Sequence, residues 1–410
     1  MICKIGGGGG KVGEIIDLII KNARVIGGDD LVDIAIKGDK IAVVDKKVSA
    51  ASKKEIDAKG RFVSPGFVDA HTHLDNAFVG GDEKWFCRTL REALNVIEKY
   101  GSSHDINARA KRAVEMALWR GTTSLRTHIS VSQPGDLSKL RAILELKNEL
   151  SDLMDIQVVS FITKADFTTS GAGESLIRQA MRIGADVVGG APDRDPDPEK
   201  YFDIIFKVAD EFNAPIDLHV DETNDPKILT LETLAEKVVE YGYEGKVAAS
   251  HCCSLSALEE GRARAVIKKV AKARMSVIAN PLTNLYLWGE NGRPEGVTRV
   301  KELLEEGVNV AYGTDNTQDA FNPLGNADML LAALLLAYQK KLDGEGSLVK
   351  ILEMGTINAA KATGMISNYG IREGGRADIV IFDAFSPREA IIRQARRLYV
   401  VKRGRVFSVG

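Results

Sequence analysis

Two histidines separated by a single residue, His71 and His73, form the motif in this sequence that most directly suggests metal chemistry. Residues two apart on a β-strand point to the same face, so their imidazoles can bind one cation from a single strand. His219 and Asp315, each following another short apolar run, can complete the site. Three imidazole nitrogens and one carboxylate oxygen suit one divalent ion, Zn(II) or Fe(II), and do not distinguish between the two.

Further polar residues close to these ligands can move protons. A metal ion with an open coordination position generates hydroxide from bound water near neutral pH, and Asp315 can take the proton that is released. Glu222, three residues after His219, can shuttle a proton to a ring nitrogen or a leaving group. His251 can orient the hydroxide or polarise a carbonyl, while a fourth nitrogen ligand and plain packing stay open for it. An exposed loop carboxylate is the alternative for Glu222, and His128 is balanced between pocket lining and structural packing.

Eight short apolar runs alternate with amphipathic segments through the middle of the chain, and they would position these motifs. The runs are 66–73, 123–129, 155–161, 185–190, 214–220, 246–251, 275–280 and 308–314. The segments between them, such as 198–212, have apolar residues at helical spacing. Eight such units over roughly 250–300 residues favour an α/β protein with a (β/α)8 TIM barrel over a doubly wound sheet. The carboxyl ends of the strands would then form one rim that collects the polar residues.

Both ends of the chain are rich in predicted strands separated by turn residues. The predicted strands are 16–20, 32–36, 41–44, 377–382, 398–401 and 406–407. Alternating short strands and Gly- or Asp-containing turns are typical of β-hairpins. We therefore expect a small β-sandwich-like domain built from residues 1–65 plus 366–410, and a metal-dependent barrel catalytic domain at residues 66–365.

The composition excludes several classes of partner. Lys and Arg total 55 and Asp and Glu total 57, for a formal net charge of −2, so nothing indicates nucleic acid or an anionic membrane surface. The apolar runs are far shorter than the ~20 residues of a membrane helix, and no signal peptide is visible. Four cysteines without a disulfide framework favour a reducing compartment. We expect a cytoplasmic enzyme with a small-molecule substrate; a homo-oligomer stays open.

The whole chain resembles the amidohydrolase superfamily, and within it the branch of bacterial cytosine deaminases and N-isopropylammelide amidohydrolases. The matching segments are 65–75, 126–128, 184–190, 219–222, 249–251, 279–282, 313–316 and 323–330. The resemblance implies one catalytic divalent metal on the four ligands above, Glu222 as the proton shuttle and His251 as a hydroxide-orienting group. The fourth strand ends without the lysine that bridges two metals in binuclear relatives, which favours a mononuclear site.

The sequence departs from the cytosine deaminase pattern at the positions that contact the pyrimidine ring in that family. Thr163, with Lys164 beside it, stands in place of an amide-bearing glutamine, Asn316 replaces a second aspartate and Phe321 replaces a tryptophan. Losing ring-reading polar groups makes cytosine itself a poor candidate substrate. We take Thr163, Lys164, Asn316, Phe321 and His128 as substrate-binding candidates. An inward-facing Lys164 would suit an anionic or carbonyl-bearing substituent, and a solvated loop lysine is the alternative.

These residues together predict the hydrolytic deamination of an amino-substituted N-heterocycle. Hydroxide generated at the metal would attack a C=N carbon, and ammonia or an amine would be released. Hydrolysis of a cyclic amide and removal of an alkylamine from a triazine-like ring are alternatives, because the superfamily uses similar sites for these reactions. A non-catalytic scaffold with this fold is disfavoured because all the expected metal ligands are present.

Overall fold

The computed structural model describes residues 15–28, 30–80, 86–101, 105–131, 137–162, 167–169, 171–288, 296–342 and 345–409. The strands in these residues are β1 (Ile16–Val25), β2 (Val32–Lys37), β3 (Lys40–Asp45), β4 (Ser52–Asp57), β5 (Phe62–Pro65), β6 (Phe67–Thr72), β7 (Thr122–Val131), β8 (Asp155–Ile162), β9 (Val187–Gly190), β10 (Ile216–Val220), β11 (Val247–His251), β12 (Ser276–Ala279), β13 (Asn309–Tyr312), β14 (Ile379–Phe382), β15 (Arg397–Lys402) and β16 (Arg405–Ser408).

Helices connect most of these strands. They are α1 (Leu90–Tyr100), α2 (Ile106–Trp119), α3 (Ser138–Glu149), α4 (Ala172–Arg182), α5 (Pro198–Glu211), α6 (Thr230–Glu240), α7 (Ser254–Ala257), α8 (Glu260–Lys272), α9 (Pro281–Trp288), α10 (Val300–Glu305), α11 (Met329–Lys340), α12 (Glu345–Met354), α13 (Ile357–Ala362) and α14 (Pro387–Ile392), with short 3₁₀ helices at Pro192–Arg194 and Met365–Asn368. Among the described residues, no helix combines the length and the apolar character needed to cross a membrane.

The strands β6 to β13 pair in chain order and in parallel, forming an eight-stranded sheet that curls into a nearly closed barrel. The two edges meet where the amide of Asp315 donates to the carbonyl of His71 at 2.9 Å and the amide of His73 donates to the carbonyl of Asp315 at 3.1 Å. A doubly wound sheet would reverse its strand order at a switch point. The predicted (β/α)8 fold is therefore confirmed, and the doubly wound alternative is wrong.

Local sequence explains why the middle of the chain forms strand–helix units. The strand β10 is buried along its whole length, as expected for a parallel strand covered on both faces. The helix α5 begins at Asp197, whose side chain accepts a hydrogen bond from the amide of Lys200, and has proline in its first turn. Its residues Tyr201, Ile205 and Val208 are buried at helical spacing. Similar units place the carboxyl end of each barrel strand on one rim.

A separate eight-stranded sheet combines both ends of the chain, as predicted. Its order is β16-β15-β14-β5-β1-β2-β3, with β4 also paired to β1. The pairing of β5 with β14, which sets Val63 opposite Ile381, joins the two ends. Its own apolar cluster includes Leu18, Ile34 and Val401. The boundaries at residues 65/66 and 365/366 stay a prediction.

Charged residues connect this terminal sheet to the amino end of the barrel. Lys402, which is completely buried, contacts Asp155 Oδ2 at 2.5 Å and Asp378 Oδ2 at 3.0 Å through Nζ. Arg403 and Arg376 also contact the carboxylate of Asp155, each at 2.7 Å. Asp155 is the first residue of β8, so this amino-end cluster (Asp155, Arg376, Asp378, Lys402, Arg403) lies at the opposite end of the barrel strands from the rim.

Candidate active site

The four predicted metal ligands come together inside the carboxyl rim of the barrel. His71 lies in β6, His73 directly follows it, His219 lies in β10 and Asp315 follows β13. The Nε2 atoms of His73 and His219 are 3.1 Å apart, and Oδ1 of Asp315 lies 3.5 Å from Nε2 of both His71 and His73. All four side chains are buried.

The protonation of these side chains fits a bound cation. Burial lowers the pKa of His73 to about 4 and moves the pKa of His219 well below its ordinary value, so both imidazoles are neutral at pH 7. Burial alone would raise the pKa of Asp315, but the facing imidazoles of His71, His251 and His73 outweigh it and lower that pKa to about 2. A divalent metal prefers this set of neutral imidazole nitrogens with a carboxylate oxygen.

Several polar atoms in this cluster have no hydrogen-bond partner within the described structure. They are His71 Nε2, His219 Nδ1, Asp315 Oδ2 and both ring nitrogens of His128. Buried polar groups are normally paired, so unpaired ones require an explanation such as an ion. Ligand atoms of His71, His251 and Asp315 lie within 4.8 Å of one another, and so do those of His71, His128 and His219. The donor set therefore fits a divalent ion, and the alternative of His251 as a ligand stays open.

Glu222 lies beside this cluster, in the turn that follows β10. Its Oε2 accepts a hydrogen bond from Nη2 of Arg194 at 2.9 Å, and its Oε1 lies 3.6 Å from Nδ1 of His251. The neighbouring Asp221 holds this turn, because its carboxylate accepts from the amides at the start of α6, at 2.8 and 3.0 Å. Burial raises the pKa of Glu222 to about 8, although the charge of Arg194 opposes the shift. The raised pKa favours the protonated form of Glu222 at neutral pH, in which it can donate a proton.

His251 is held in an unusual backbone conformation. Its φ is +71°, and the following Cys252 has φ of +49°. Asp315 shares this left-handed region with φ of +62°. A non-glycine residue there costs on the order of 1–3 kcal/mol, and such strain concentrates at functional sites. The ring is also fixed by amides, because Asn284 Nδ2 lies 3.0 Å from Nδ1 and Asn280 Nδ2 lies 3.3 Å from Nε2.

The predicted substrate-binding residues are placed less uniformly. Asn316 is buried, and its amide is occupied within the protein: Nδ2 donates to Asp319 at 2.8 Å, and Oδ1 accepts from Thr283 at 3.1 Å. Phe321 packs against a small apolar cluster that includes Cys87. Thr163 and Lys164 lie outside the described residues, so their role stays a prediction.

His128 occupies the floor of the site in contact with the other histidines. Its ring is fully buried, with its centroid 4.0 Å from that of His71. Burial moves its pKa well below the ordinary value. It is therefore a neutral group of the metal-binding cluster, and direct contact with substrate stays a prediction.

The sequence analysis assigned no role to four residues that contact this site. Arg194 belongs to the short 3₁₀ helix after β9, and the charged run Asp193-Arg194-Asp195 directly after the fourth strand was the signal that marks it. Phe161 stacks on His219, with ring centroids 4.0 Å apart and planes 21° apart. The amides of Asn280 and Asn284 become visible as partners of His251 only in three dimensions.

Comparisons with known proteins point in one direction. A family model described as the amidohydrolase family matches residues 62–407. The chain is 36% identical to N-isopropylammelide isopropyl amidohydrolase of Pseudomonas sp. (strain ADP), over 95% of this chain and 97% of that relative. It is 31% identical to pterin deaminase of Rhizobium rhizogenes (strain K84 / ATCC BAA-868), over 87% of this chain and 83% of that relative. The crystal structure of 5-methylcytosine deaminase from Klebsiella pneumoniae liganded with 5-fluorocytosine has a TM-score of 0.88 and 31% identity, covering 95% of this chain and 97% of that chain.

Proposed function

The chain belongs to the amidohydrolase family, and from this premise we propose that it catalyses metal-dependent hydrolytic deamination of an amino-substituted N-heterocycle other than cytosine. Family membership confirms the resemblance seen in the sequence and makes the chain a hydrolase acting on carbon–nitrogen bonds. The observation that carries the proposal is the buried set of unpartnered imidazole and carboxylate atoms with the buried Glu222 carboxyl group beside it, 3.6 Å from Nδ1 of His251.

The family is metal-dependent, and we propose one divalent ion, Zn or Fe, held by His71, His73, His219 and Asp315. When bound, such an ion supplies the Lewis-acid chemistry that activates water near neutral pH. Neutral imidazoles and an ionised carboxylate are the protonation states that this role requires, and burial and charge favour these states here.

Glu222 is the proton donor in this proposal. Because Nη2 of Arg194 occupies Oε2, the proton of the carboxyl group resides on Oε1, the oxygen nearer His251. From Oε1 it can pass to a ring nitrogen of the substrate as the C=N carbon is attacked. His251, fixed by its asparagine partners, orients the reacting water. Each group then performs one step for which its position suits it.

The substrate is a small heterocycle that bears oxygen substituents. Arg194 is about one-fifth exposed and offers further N–H donors beside Glu222, which suits an oxo group next to the protonated ring nitrogen. The amide of Asn316 also bonds Thr283 and Asp319, which fixes its orientation, and its contact with substrate stays a prediction. An amide at position 316, in place of the acidic ring contact of cytosine deaminases, argues against cytosine. Thr163, Lys164, Asn316, Phe321 and His128 stay candidate substrate contacts.

Removal of an alkylamine from a triazine-like ring is the second candidate. It is favoured by the 36% identity, over nearly the full length of both chains, to the Pseudomonas N-isopropylammelide enzyme. We also propose a cytoplasmic location, since the four cysteines show no disulfide framework. We propose no nucleic-acid partner, since a net charge of −2 gives no excess of basic residues. Assembly into a homo-oligomer stays open.

A panel of aminopyrimidines, pterins and alkylamino-triazinediones, assayed for released ammonia and released alkylamine, tests the proposal. We expect amine release from at least one class, with cytosine a poor substrate. Glu222→Gln should lower kcat by about 10²–10⁴-fold while the metal content is unchanged. Glu240→Gln, at an exposed carboxylate on α6, is the matched control and should keep full activity. Turnover without amine release, or a fully active Glu222→Gln protein, would contradict the proposal.

A further inference from the structure

Behind the metal-binding cluster, three buried residues form a continuous chain of hydrogen bonds that ends on His71. We propose that Arg126, Asp217 and Ser250 are positioning residues that hold His71 in the one tautomer able to bind the metal. The inference rests on the proposed metal site. It also assigns a role to Arg126, whose motif marks the second strand but takes no part in the proposed reaction.

The geometry of the chain is continuous. Nη1 of Arg126 donates to Oδ2 of Asp217 at 2.6 Å, and the hydroxyl of Ser250 donates to Oδ1 of Asp217 at 3.0 Å. The same hydroxyl oxygen lies 2.9 Å from Nδ1 of His71. Nε of Arg126 donates to Gln157 at 2.7 Å, which fixes the guanidinium. All but Gln157 are almost completely buried, so water does not compete for these bonds.

With Asp217 ionised against the guanidinium of Arg126, the donors and acceptors can be arranged in only one way. A guanidinium only donates, so Asp217 must accept from Arg126, and its ionised carboxylate also accepts from Ser250. The Ser250 hydroxyl has a single hydrogen, which it gives to Asp217. Its oxygen must therefore accept a hydrogen from Nδ1 of His71. His71 then carries its proton on Nδ1 and leaves a lone pair on Nε2.

The tautomer matters because Nε2 is the atom of His71 that faces the proposed ion. It lies 3.5 Å from Oδ1 of Asp315 and has no hydrogen-bond partner among the described residues. A protonated Nε2 would direct a hydrogen at the metal position and could not act as a ligand. Hydrogen bonds to the second nitrogen of metal-binding histidines commonly set the tautomer in this way.

An isosteric substitution should reverse the donor and acceptor roles along this chain of hydrogen bonds without changing its geometry. In Asp217→Asn, Arg126 still requires an acceptor, so the amide oxygen must face Arg126 and the NH₂ group must face Ser250. Ser250 then accepts from Asn and donates its own hydrogen to Nδ1 of His71. His71 is forced to carry its proton on Nε2, where it blocks coordination.

The direct test is ¹⁵N NMR of metal-free protein labelled on histidine. The signals of His71 are assigned by their loss in His71→Asn. We expect the Nδ1–H form in the parent protein and the Nε2–H form in Asp217→Asn. If the folded Asp217→Asn protein keeps the Nδ1–H form, the proposal is wrong. This readout needs neither metal nor turnover. It therefore tests whether the hydrogen-bond chain sets the tautomer of His71 even if the proposed deamination is wrong.

Metal affinity is the second readout, measured by competition with a chelator using Zn(II) and Co(II). Asp217→Asn and Ser250→Ala should weaken binding by about 10–100-fold, and Ser250→Thr, which keeps the hydroxyl, should restore it. Ser160→Ala is the matched control, since Ser160 is an equally buried barrel hydroxyl that donates to a backbone carbonyl instead. Equal losses in Ser250→Ala and Ser160→Ala, or no rescue by threonine, would overturn the proposal. The Ser250 series decides the question if Asp217→Asn does not fold.

Discussion

The two ends of the barrel both bury charged and polar groups, but these groups are paired within the protein at the amino end and partly unpaired at the carboxyl rim. At the amino end, Lys402 lies between Asp155 and Asp378, and Asp155 has two arginine partners as well. At the carboxyl rim, His71 Nε2 and Asp315 Oδ2 have no hydrogen-bond partner among the described residues. Lys402 and Asp378 are as deeply buried as the rim residues, whereas Arg376 and Arg403 are partly exposed.

The difference separates groups that stabilise the fold from groups that await a ligand. A buried charge is costly unless it is paired, so the amino-end cluster satisfies its own charges and joins the terminal sheet to the barrel. The rim leaves atoms unpaired and adds strained backbone at His251 and Asp315. The unpaired atoms and the strained backbone raise the free energy of the ligand-free protein. Binding of an ion and a substrate would offset that cost by giving the unpaired atoms partners.

Of the changes that test this difference between the two ends, removing the metal should have the largest effect on turnover and on Tm. Chelation is expected to lower turnover by more than about 10³-fold, since water activation depends on the ion. It should also lower Tm, because a ligand present at 100 times its Kd contributes about 2.7 kcal/mol. Adding Zn(II) or Fe(II) back should restore both values. Full turnover in chelated, metal-free protein would remove the distinction between the two ends.

Lys402→Met tests the other end. Removing one partner of a buried ion pair costs about 3–5 kcal/mol, and we expect the lower part of this range because Arg376 and Arg403 still neutralise Asp155. Urea unfolding measures the loss. Metal content and kcat per folded molecule should be unchanged. Lys46→Met, which breaks an exposed pair with Asp30, should cause little change in stability. Loss of metal from folded Lys402→Met would show that the two ends are coupled.

Glu222 predicts a smaller, pH-dependent effect. Its pKa is raised from 4.5 to about 8 in the fold, mainly by burial. Below pH 4.5 the group is protonated in both the folded and the unfolded chain. As the pH rises from 4.5 through 8, only the unfolded chain releases the proton, so wild-type stability falls.

Glu222→Gln should remove this loss in the metal-free protein. Its free energy of unfolding, relative to the parent protein, should rise by on the order of 3 kcal/mol between pH 5 and pH 8 and then level off. Thermal or urea unfolding across this range measures the difference. A difference that is constant with pH would mean that Glu222 is ionised in the fold and cannot be the proton donor.

The sequence predicted the fold well because its information is local and repeated. The predicted strand at 214–220 corresponds to β10 at Ile216–Val220, and the helix predicted at 198–212 corresponds to α5 at Pro198–Glu211. The apolar periodicity within each strand–helix unit predicts that unit from its own sequence. The curling of the sheet and the pairing of β5 with β14 depend on contacts between distant segments. Local patterns do not show such contacts, and only the number of strand–helix units indicated a barrel.

The site was predictable where chemistry restricts the residue type. Only a few side chains bind metals, so type and strand position identified His71 and Asp315 as candidate ligands, and the structure brings the two side chains together. Arg194 was missed because arginine is common on rims and its contact with Glu222 exists only once the fourth and fifth strands are adjacent. Asn316 was predicted to contact substrate, and this stays a prediction. The sequence could not show that its amide also bonds Thr283 and Asp319, because that contact depends on the fold.

The pairing of β5 with β14 has a consequence for how the protein is made. The ribosome releases β5 about 300 residues before β14, and at about 5–20 residues per second this delay is roughly 15–60 seconds. Throughout that time β5 lacks this partner, and the nascent chain exposes a strand edge open to wrong pairing. Translation speed and chaperone binding near the N-terminal strands should therefore affect the yield of active enzyme more than they affect the stability of the finished molecule.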